Sequence, residues 1–165
     1  MSALNHDHDD LAERELTILY ATETGNAQDV AERIAVQCRR LHFSVHVHSI
    51  DEYRIVGGHY FSAVFVSRST PIQDSIFSTH LILFIVSTAG TGREPRSMTP
   101  FWTALLRSDL PHDLFDHLDF AVFGLGDSAY EKFCWPAKML ERRLLSLGAK
   151  SIVERGEGDD QDHLG

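Results

Sequence analysis

The chain has 165 residues, 43% of them apolar, which is enough for one domain with a sizeable core. Its formal charge of −9 excludes the basic stripe of a nucleic-acid binder and leaves solubility, or an acidic face for a cationic partner, as what the charge serves. The apolar runs are too short to cross a bilayer, and the 2 cysteines, Cys38 and Cys134, form no CxxC pair, so the sequence predicts neither membrane span, disulfide framework nor zinc site.

The start, "MSALNHDHDDLAERE" (1–15), has no basic segment followed by an apolar stretch, so it is not a signal peptide. Its "NHDHDD", with Asp9 and Asp10, reads as a disordered solvated tail rather than a metal tract. The chain is therefore expected in the cytoplasm, with residues 16–165 forming the folded domain. "LTILYATET" (16–24) is a β-rich run that ends in turn chemistry, and 27–41 places Ala27, Val30, Ala31, Ile34, Ala35, Cys38 and Leu41 at helical spacing. "FSVHVHSI" (43–50) alternates as a half-exposed strand does, which puts His46 and His48 toward solvent rather than on a metal. Residues 51–80 lack a convincing helix; "FSAVFVS" within them fits an edge strand and the rest reads as loop. "LILFIVST" (81–88) and "DFAVFGLGD" (119–127) are continuous apolar runs suited to strands buried on both faces. "FWTALLRS" (101–108) and 130–148 are predicted helices, and "KSIVERG" (150–156) is the last predicted strand. Trp102, Trp135, Met98 and Met139 read as packing residues. Alternating strands and helices call for a parallel sheet covered on both faces, with ligands at the carboxyl ends of its strands.

Three such ends carry loop chemistry. "TETGNAQ" offers the hydroxyls of Thr22 and Thr24, the amide of Asn26, a glycine and the free N–H groups of a helix start. Together these suit a phosphate, and the absence of GxxxxGK[ST] excludes the triphosphate loop. A helix start capped by Thr or Asn is the alternative. "GLGDSA" (124–129) matches G-x-G-x-x-G/A, but Asp127 would face the pyrophosphate and no acidic residue follows at the required distance, so a dinucleotide site is disfavoured. "STAGTG" (87–92) can lay backbone amides along a flat ring, on which Tyr130 is placed to stack.

As a set, "TETGNAQDVAERIA", "STAGTG" followed by "FW", "DFAVFGLGDSAYEKF" and "GDDQDHLG" resemble the FMN-binding domain of the flavodoxin family. More narrowly they resemble the N-terminal domain of the diflavin reductases, the cytochrome P-450 reductase group, and within it the members that serve cytosolic iron–sulfur protein assembly. The resemblance covers 16–55 and 81–165. It implies an α/β fold, a flavodoxin-like doubly wound parallel five-stranded sheet with helices on both faces, here without the last helix because the C-terminus is truncated. Residues 56–80 have no counterpart in the pattern and stand as an atypical insertion.

The resemblance also implies roles. Thr22, Glu23, Thr24, Gly25, Asn26 and Ala27 would grip the FMN phosphate, and Ser87, Thr88, Ala89 and Gly90 would flank the isoalloxazine. Leu125, Gly126, Asp127, Ser128, Ala129, Tyr130, Glu131, Lys132, Phe133 and Cys134 would wrap the ring and ribityl chain, and Asp160 would close the site. Four positions depart from the pattern. Ala89 stands where many relatives carry an aromatic, Arg93 where they carry an acid, and Ser97 and Cys134 where they carry Asn. No side chain is expected to act as acid, base or nucleophile. The implied function is electron transfer: from NADPH through a FAD domain that this chain lacks, to FMN, and singly onward to an iron–sulfur acceptor of the anamorsin type. A flavodoxin-like interaction module that no longer binds flavin, and a free-standing flavodoxin, are the alternatives.

Overall fold

Side-chain alternation along the buried strands splits the core in two. On β1 (Arg14–Ala21), Leu16 and Ile18 face one way, and Leu19 and Ala21 the other. β5 (Leu81–Ser87) and β6 (Asp119–Gly126) divide in the same manner, with Phe84, Phe120 and Val122 on the second face and Ile85 on the first. A strand that presents apolar residues to both sides must be covered on both sides. Helix α1 (Asn26–Arg40) covers the first face with Ala27, Ala31 and Ala35, all fully buried. The small side chains let the helix lie close to the sheet. Helices α2 (Thr99–Leu105) and α3 (Trp135–Ser146) cover the second face, where Phe101, Leu105, Ala137, Leu140 and Leu144 meet Phe84 and Phe120.

The computed structural model describes residues 14–57, 63–67 and 81–162. Of the tail expected over 1–15, residues 1–13 lie outside the described residues, whereas Arg14 and Glu15 belong to β1, paired with Phe43 and Ser44; most of the expected insertion over 56–80 also lies outside them. The main sheet also contains β2 (Phe43–Ser49), β7 (Lys150–Ser151) and β8 (Gly156–Asp159), in the order β2-β1-β5-β6, with β7 and β8 both pairing β6. All pairings in it are parallel. The chain winds outward in one direction from β1 to β2 and in the other from β1 to β5. The switch point therefore lies at the carboxyl ends of β1 and β5, which carry the Thr22 and Thr88 loops.

Three elements differ from the sequence reading. The helix predicted over 130–148 starts at Trp135, because Pro136 has no N–H and its ring blocks a helical turn before it, while it is tolerated in the first turn. The strand predicted over 150–156 is two short strands that share the fifth position of the sheet, so six strands form it; between them the chain leaves the sheet, exposing Ile152 and Val153. "FSAVFVS" is no edge strand of the main sheet: β4 (Ala63–Ser67) pairs antiparallel with β3 (Tyr53–Gly57) in a separate hairpin. On the α1 face, Leu81, Leu83, Phe123 and Leu125 are only partly buried, and α1 is the one helix packed there among the described residues.

Candidate functional site

A cleft of about 1160 Å³ opens at the carboxyl edge of the sheet. It is larger than the roughly 300–1,000 Å³ of a typical ligand pocket, because it continues along the bare stretch of sheet beside Val30, Arg33, Ile34 and Gln37 of α1 and Phe123 of β6. At one end lie Glu23, Thr24, Gly25 and Asn26. The middle is lined by Ser87, Thr88, Ala89, Gly90, Leu125 and Gly126, and the other wall by Asp127, Tyr130, Lys132 and Asp160.

The first loop is shaped by its own side chain. Thr22 Oγ1 accepts a hydrogen bond from the Gly25 N–H at 2.9 Å. Gly25 is the N-cap of α1 at φ 102, a left-handed conformation that a residue with a Cβ resists. No side chain caps the helix, which removes the reading of this loop as a Thr- or Asn-capped helix start. The first N–H groups of α1 have no partner within the helix, and together with the positive end of the helix dipole they suit an anion. The carboxylates beside them are paired with arginines, Glu23 with Arg96 at 3.3 Å and Asp29 with Arg33 at 3.9 Å, both in solvent-exposed contacts.

The loops hold one another in place. Ser87 Oγ donates to the Ala21 carbonyl at 3.1 Å. The Thr88 N–H donates to the Leu125 carbonyl at 2.9 Å, and Ala89 and Arg93 exchange backbone hydrogen bonds at 2.8 and 2.9 Å in a tight turn. Arg93 thus serves this turn through its backbone. In the third loop Gly126 is required by close approach, since a Cβ there would lie 2.9 Å from the Cys134 nitrogen. Asp127 Oδ1 accepts from the Ala129 N–H at 2.8 Å and from Gln161 Nε2 at 2.9 Å. Asp159 Oδ1 accepts from the Ser128 N–H at 2.9 Å, and the Asp160 N–H donates to the Gly126 carbonyl at 2.8 Å. The Ser128 bonds hold the Asp159 carboxyl below its usual range.

Fourteen of the sequence-predicted residues line the cleft; Thr22, Ala27, Ser128, Ala129, Glu131, Phe133 and Cys134 do not. Thr22 shapes the first loop, Ala27 is buried against the sheet, and Ser128 and Ala129 contribute backbone N–H groups to the third loop's own bonding. Glu131 is exposed, and the Phe133 ring lies under Lys138 Nζ at 5.2 Å. Cys134 is fully buried in a left-handed conformation before α3, and burial, reinforced by Glu157, pushes its thiol up to about 11. Tyr130 stays 55% exposed at the rim, which leaves its ring free to cover a ligand. The cleft also takes in Asp29, Val30, Arg33, Ile34 and Gln37 from α1, with Phe123, Gly158, Asp159 and Asp162. The helix residues gave no signal beyond an amphipathic pattern, whereas "GDD" pointed to the acidic turn. Among the described residues no cluster of His, Cys, Asp or Glu is suited to a metal ion.

A flavin mononucleotide fits this donor set. One end of the cleft is polar and lined by backbone at a helix start. The middle is made of small residues and apolar side chains. Beside it the Thr88 hydroxyl is buried and has no hydrogen-bond partner among the described residues. A buried polar atom left unpaired is uncommon, and the loop that carries this one lines the middle of the cleft.

Solved flavodoxins share the fold. One from Streptococcus pneumonia matches with a TM-score of 0.63 at 23% identity, covering 88% of this chain and 84% of its own. Flavodoxin 1 from Bacillus cereus matches with a TM-score of 0.61, also at 23% identity, over 88% and 84%. Among curated proteins, the NADPH-dependent diflavin oxidoreductase 1 of Mycosarcoma maydis is 43% identical over 92% of this chain and 20% of its own length. The protein of the same name from Xenopus laevis is 36% identical over 94% and 23%, and that from Arabidopsis thaliana 40% over 93% and 22%. The chain spans about one fifth of the length of these relatives. The flavodoxin family itself matches residues 18–164, and the sheet order, counted β2-β1-β5-β6-β7, is the doubly wound 2-1-3-4-5 order of which flavodoxin is the type example. A sheet so ordered, with its cleft at the switch point and its sequence matched almost from end to end, makes this chain a member of the flavodoxin family.

Proposed function

We propose that the chain binds FMN in this cleft and serves as the electron-transferring half of an NADPH-dependent diflavin reductase. The observation that carries the reading is the uncapped start of α1, whose N–H groups have no side-chain acceptor and stand at the polar end of a cleft lined by the other two loops. In this reading the Thr22–Ala27 loop holds the phosphate. Ser87–Gly90 lie along one edge of the ring, the third loop and Tyr130 close over it, and the acidic turn at Asp160 completes the wall. FMN, when bound, supplies redox chemistry in one- and two-electron steps. The protein contributes binding, orientation and a barrier to water, and no side chain needs to move a proton. Ala89 leaves the second loop without an aromatic, so the ring would be covered chiefly from the Tyr130 side.

The names of the relatives support the flow of electrons from NADPH through a FAD-binding domain supplied by the rest of such a protein. The sequence resemblance extends the proposal to a cytoplasmic iron–sulfur acceptor that takes the electrons singly. No helix among the described residues is long and apolar enough to cross a membrane.

Titration of the purified chain with FMN, followed by visible absorption and fluorescence quenching, tests the reading. Saturable quenching by FMN supports it. A folded chain that never takes up FMN refutes it and leaves a flavodoxin-like interaction module.

A further inference from the structure

Two consecutive residues of one loop hold two consecutive residues of another. Ser97 Oγ accepts a hydrogen bond from the Thr22 N–H and donates its own to the Thr22 carbonyl, each at 3.3 Å. The Arg96 N–H donates to Glu23 Oε2 at 2.9 Å, and the Arg96 Nε lies 3.3 Å from Glu23 Oε1. Both holding residues sit in the single 3₁₀ turn Arg96–Met98, which is anchored in the core by Met98, 1% exposed. Thr22 passes the constraint on, because its Oγ1 accepts the Gly25 N–H immediately before α1 begins. Held this way, the Thr22–Gly25 bend keeps the first N–H groups of the helix open to a ligand. The Arg96 contact also draws the Glu23 carboxylate toward a cation, so that its charge is offset beside an arriving phosphate.

We propose that Arg96 and Ser97 form a latch that presets the Thr22–Asn26 loop for a phosphate group, which makes Ser97 a positioning residue that selects phosphorylated over unphosphorylated flavin. The inference rests on the FMN reading of the cleft. Ser97 does not line the cleft, so it acts through Thr22.

The test compares FMN with riboflavin, which offers the same ring system without the phosphate. Binding of both to the purified chain is measured by fluorescence quenching. Ser97→Ala removes two half-buried hydrogen bonds, so FMN affinity should fall about tenfold while riboflavin affinity stays within about twofold. Ser97→Thr keeps the hydroxyl and should bind FMN within about threefold of the parent. Equal losses for the two flavins, no loss for FMN, or a Ser97→Thr loss as large as that of Ser97→Ala would each overturn the proposal. Should Ser97→Ala not fold, Arg96→Ala reads the other half of the latch, since that side chain is 93% exposed. It should weaken FMN about threefold and leave riboflavin unchanged, and equal effects on both would again overturn the latch. A parent chain that does not bind FMN refutes the underlying reading, and this inference with it, before any variant is compared.

Discussion

Replacing Thr88 by Val should change the stability of the ligand-free chain and its affinity for FMN in opposite directions. The Thr88 hydroxyl oxygen is buried and has no partner among the described residues, so in the ligand-free chain it carries a desolvation cost with nothing to offset it. For a neutral group that cost is about 1–3 kcal/mol. Valine keeps the shape and removes the cost, so ligand-free Thr88→Val should be more stable than the parent by about 1 kcal/mol, raising Tm by roughly 2–4 °C for a domain of this size. If FMN binding turns the hydroxyl out toward a polar atom of the ring, the same change removes one hydrogen bond from the complex and weakens FMN by about fivefold, or ~1 kcal/mol. Thermal unfolding without ligand and fluorescence titration with FMN read the two effects separately. A ligand-free variant less stable than the parent by 1 kcal/mol or more would refute the reasoning, since the hydroxyl would then have been satisfied all along. Unchanged FMN affinity would place the ring elsewhere.

Gly25→Ala meets open space but forces alanine to φ 102, so it should cost about 1–2 kcal/mol of backbone strain, read as a lower urea midpoint at unchanged m-value. The Cys134 thiol has a folded pKa of about 11, above its unfolded value, so its contribution is fully present below the unfolded pKa and is lost as pH rises toward 11. The stability difference between the parent and Cys134→Ala should therefore shrink by up to about 3 kcal/mol between pH 8 and 11, and denaturant unfolding at both ends checks it. Arg155 pairs with Glu141 and, through Nη2 at 2.9 Å, with Glu157, all three side chains mostly covered. Arg155→Ala leaves two neighbouring carboxylates without that cation and should destabilise the chain by about 2–3 kcal/mol, whereas Arg155→Ala with Glu141→Leu should recover part of that loss. Asp127, Asp159, Asp160 and Asp162 gather at the cleft wall, so association with a basic electron-transfer partner should slow as salt rises from 50 to 500 mM, and a stopped-flow rate flat over that range would exclude electrostatic steering.

The legible parts of this molecule are those whose signal is local. Continuous apolar runs at Leu81–Ser87 and Asp119–Gly126 imply two-sided burial wherever the strands end up, and the structure buries them between α1 on one face and α2 and α3 on the other. The start of α3 was also local, but Pro136 lies inside an otherwise helical pattern, and periodicity outweighed it. The split of the last strand was not local. Whether 150–156 pairs throughout depends on what β6 offers at each register, and β6 accepts Lys150–Ser151 near its start and Gly156–Asp159 near its end. The separate hairpin of β3 and β4 escaped for the same reason, since nothing in "AVFVS" names its partner. In the cleft, "GDD" marked the acidic turn but not the division of labour within it: the Asp159 carboxylate accepts from Ser128, whereas Asp160 holds Gly126 through its backbone N–H.

That division points to how an acidic chain can build a site for an anion. With a formal charge of −9, a phosphate could be held by a local excess of Lys and Arg, yet the Thr22–Asn26 loop contains neither. It is made instead of backbone N–H groups at a helix start, whose partial charges require no cation in the loop itself. The arginines near it are paired with carboxylates, Arg96 on Glu23 away from the cleft and Arg33 on Asp29 along the α1 wall. The cost of such a design is sensitivity to shape. A lysine on a flexible stem tolerates displacement, but backbone donors serve an anion only while the loop keeps its bend. The contacts that hold the loops accordingly run to neighbouring segments and strand ends: Ser97 to Thr22, Ser87 to Ala21 and Thr88 to Leu125. If FMN binds as proposed, the side chains that decide binding are in part those that never reach the ligand, and a motif defined by the residues lining a cleft passes over them.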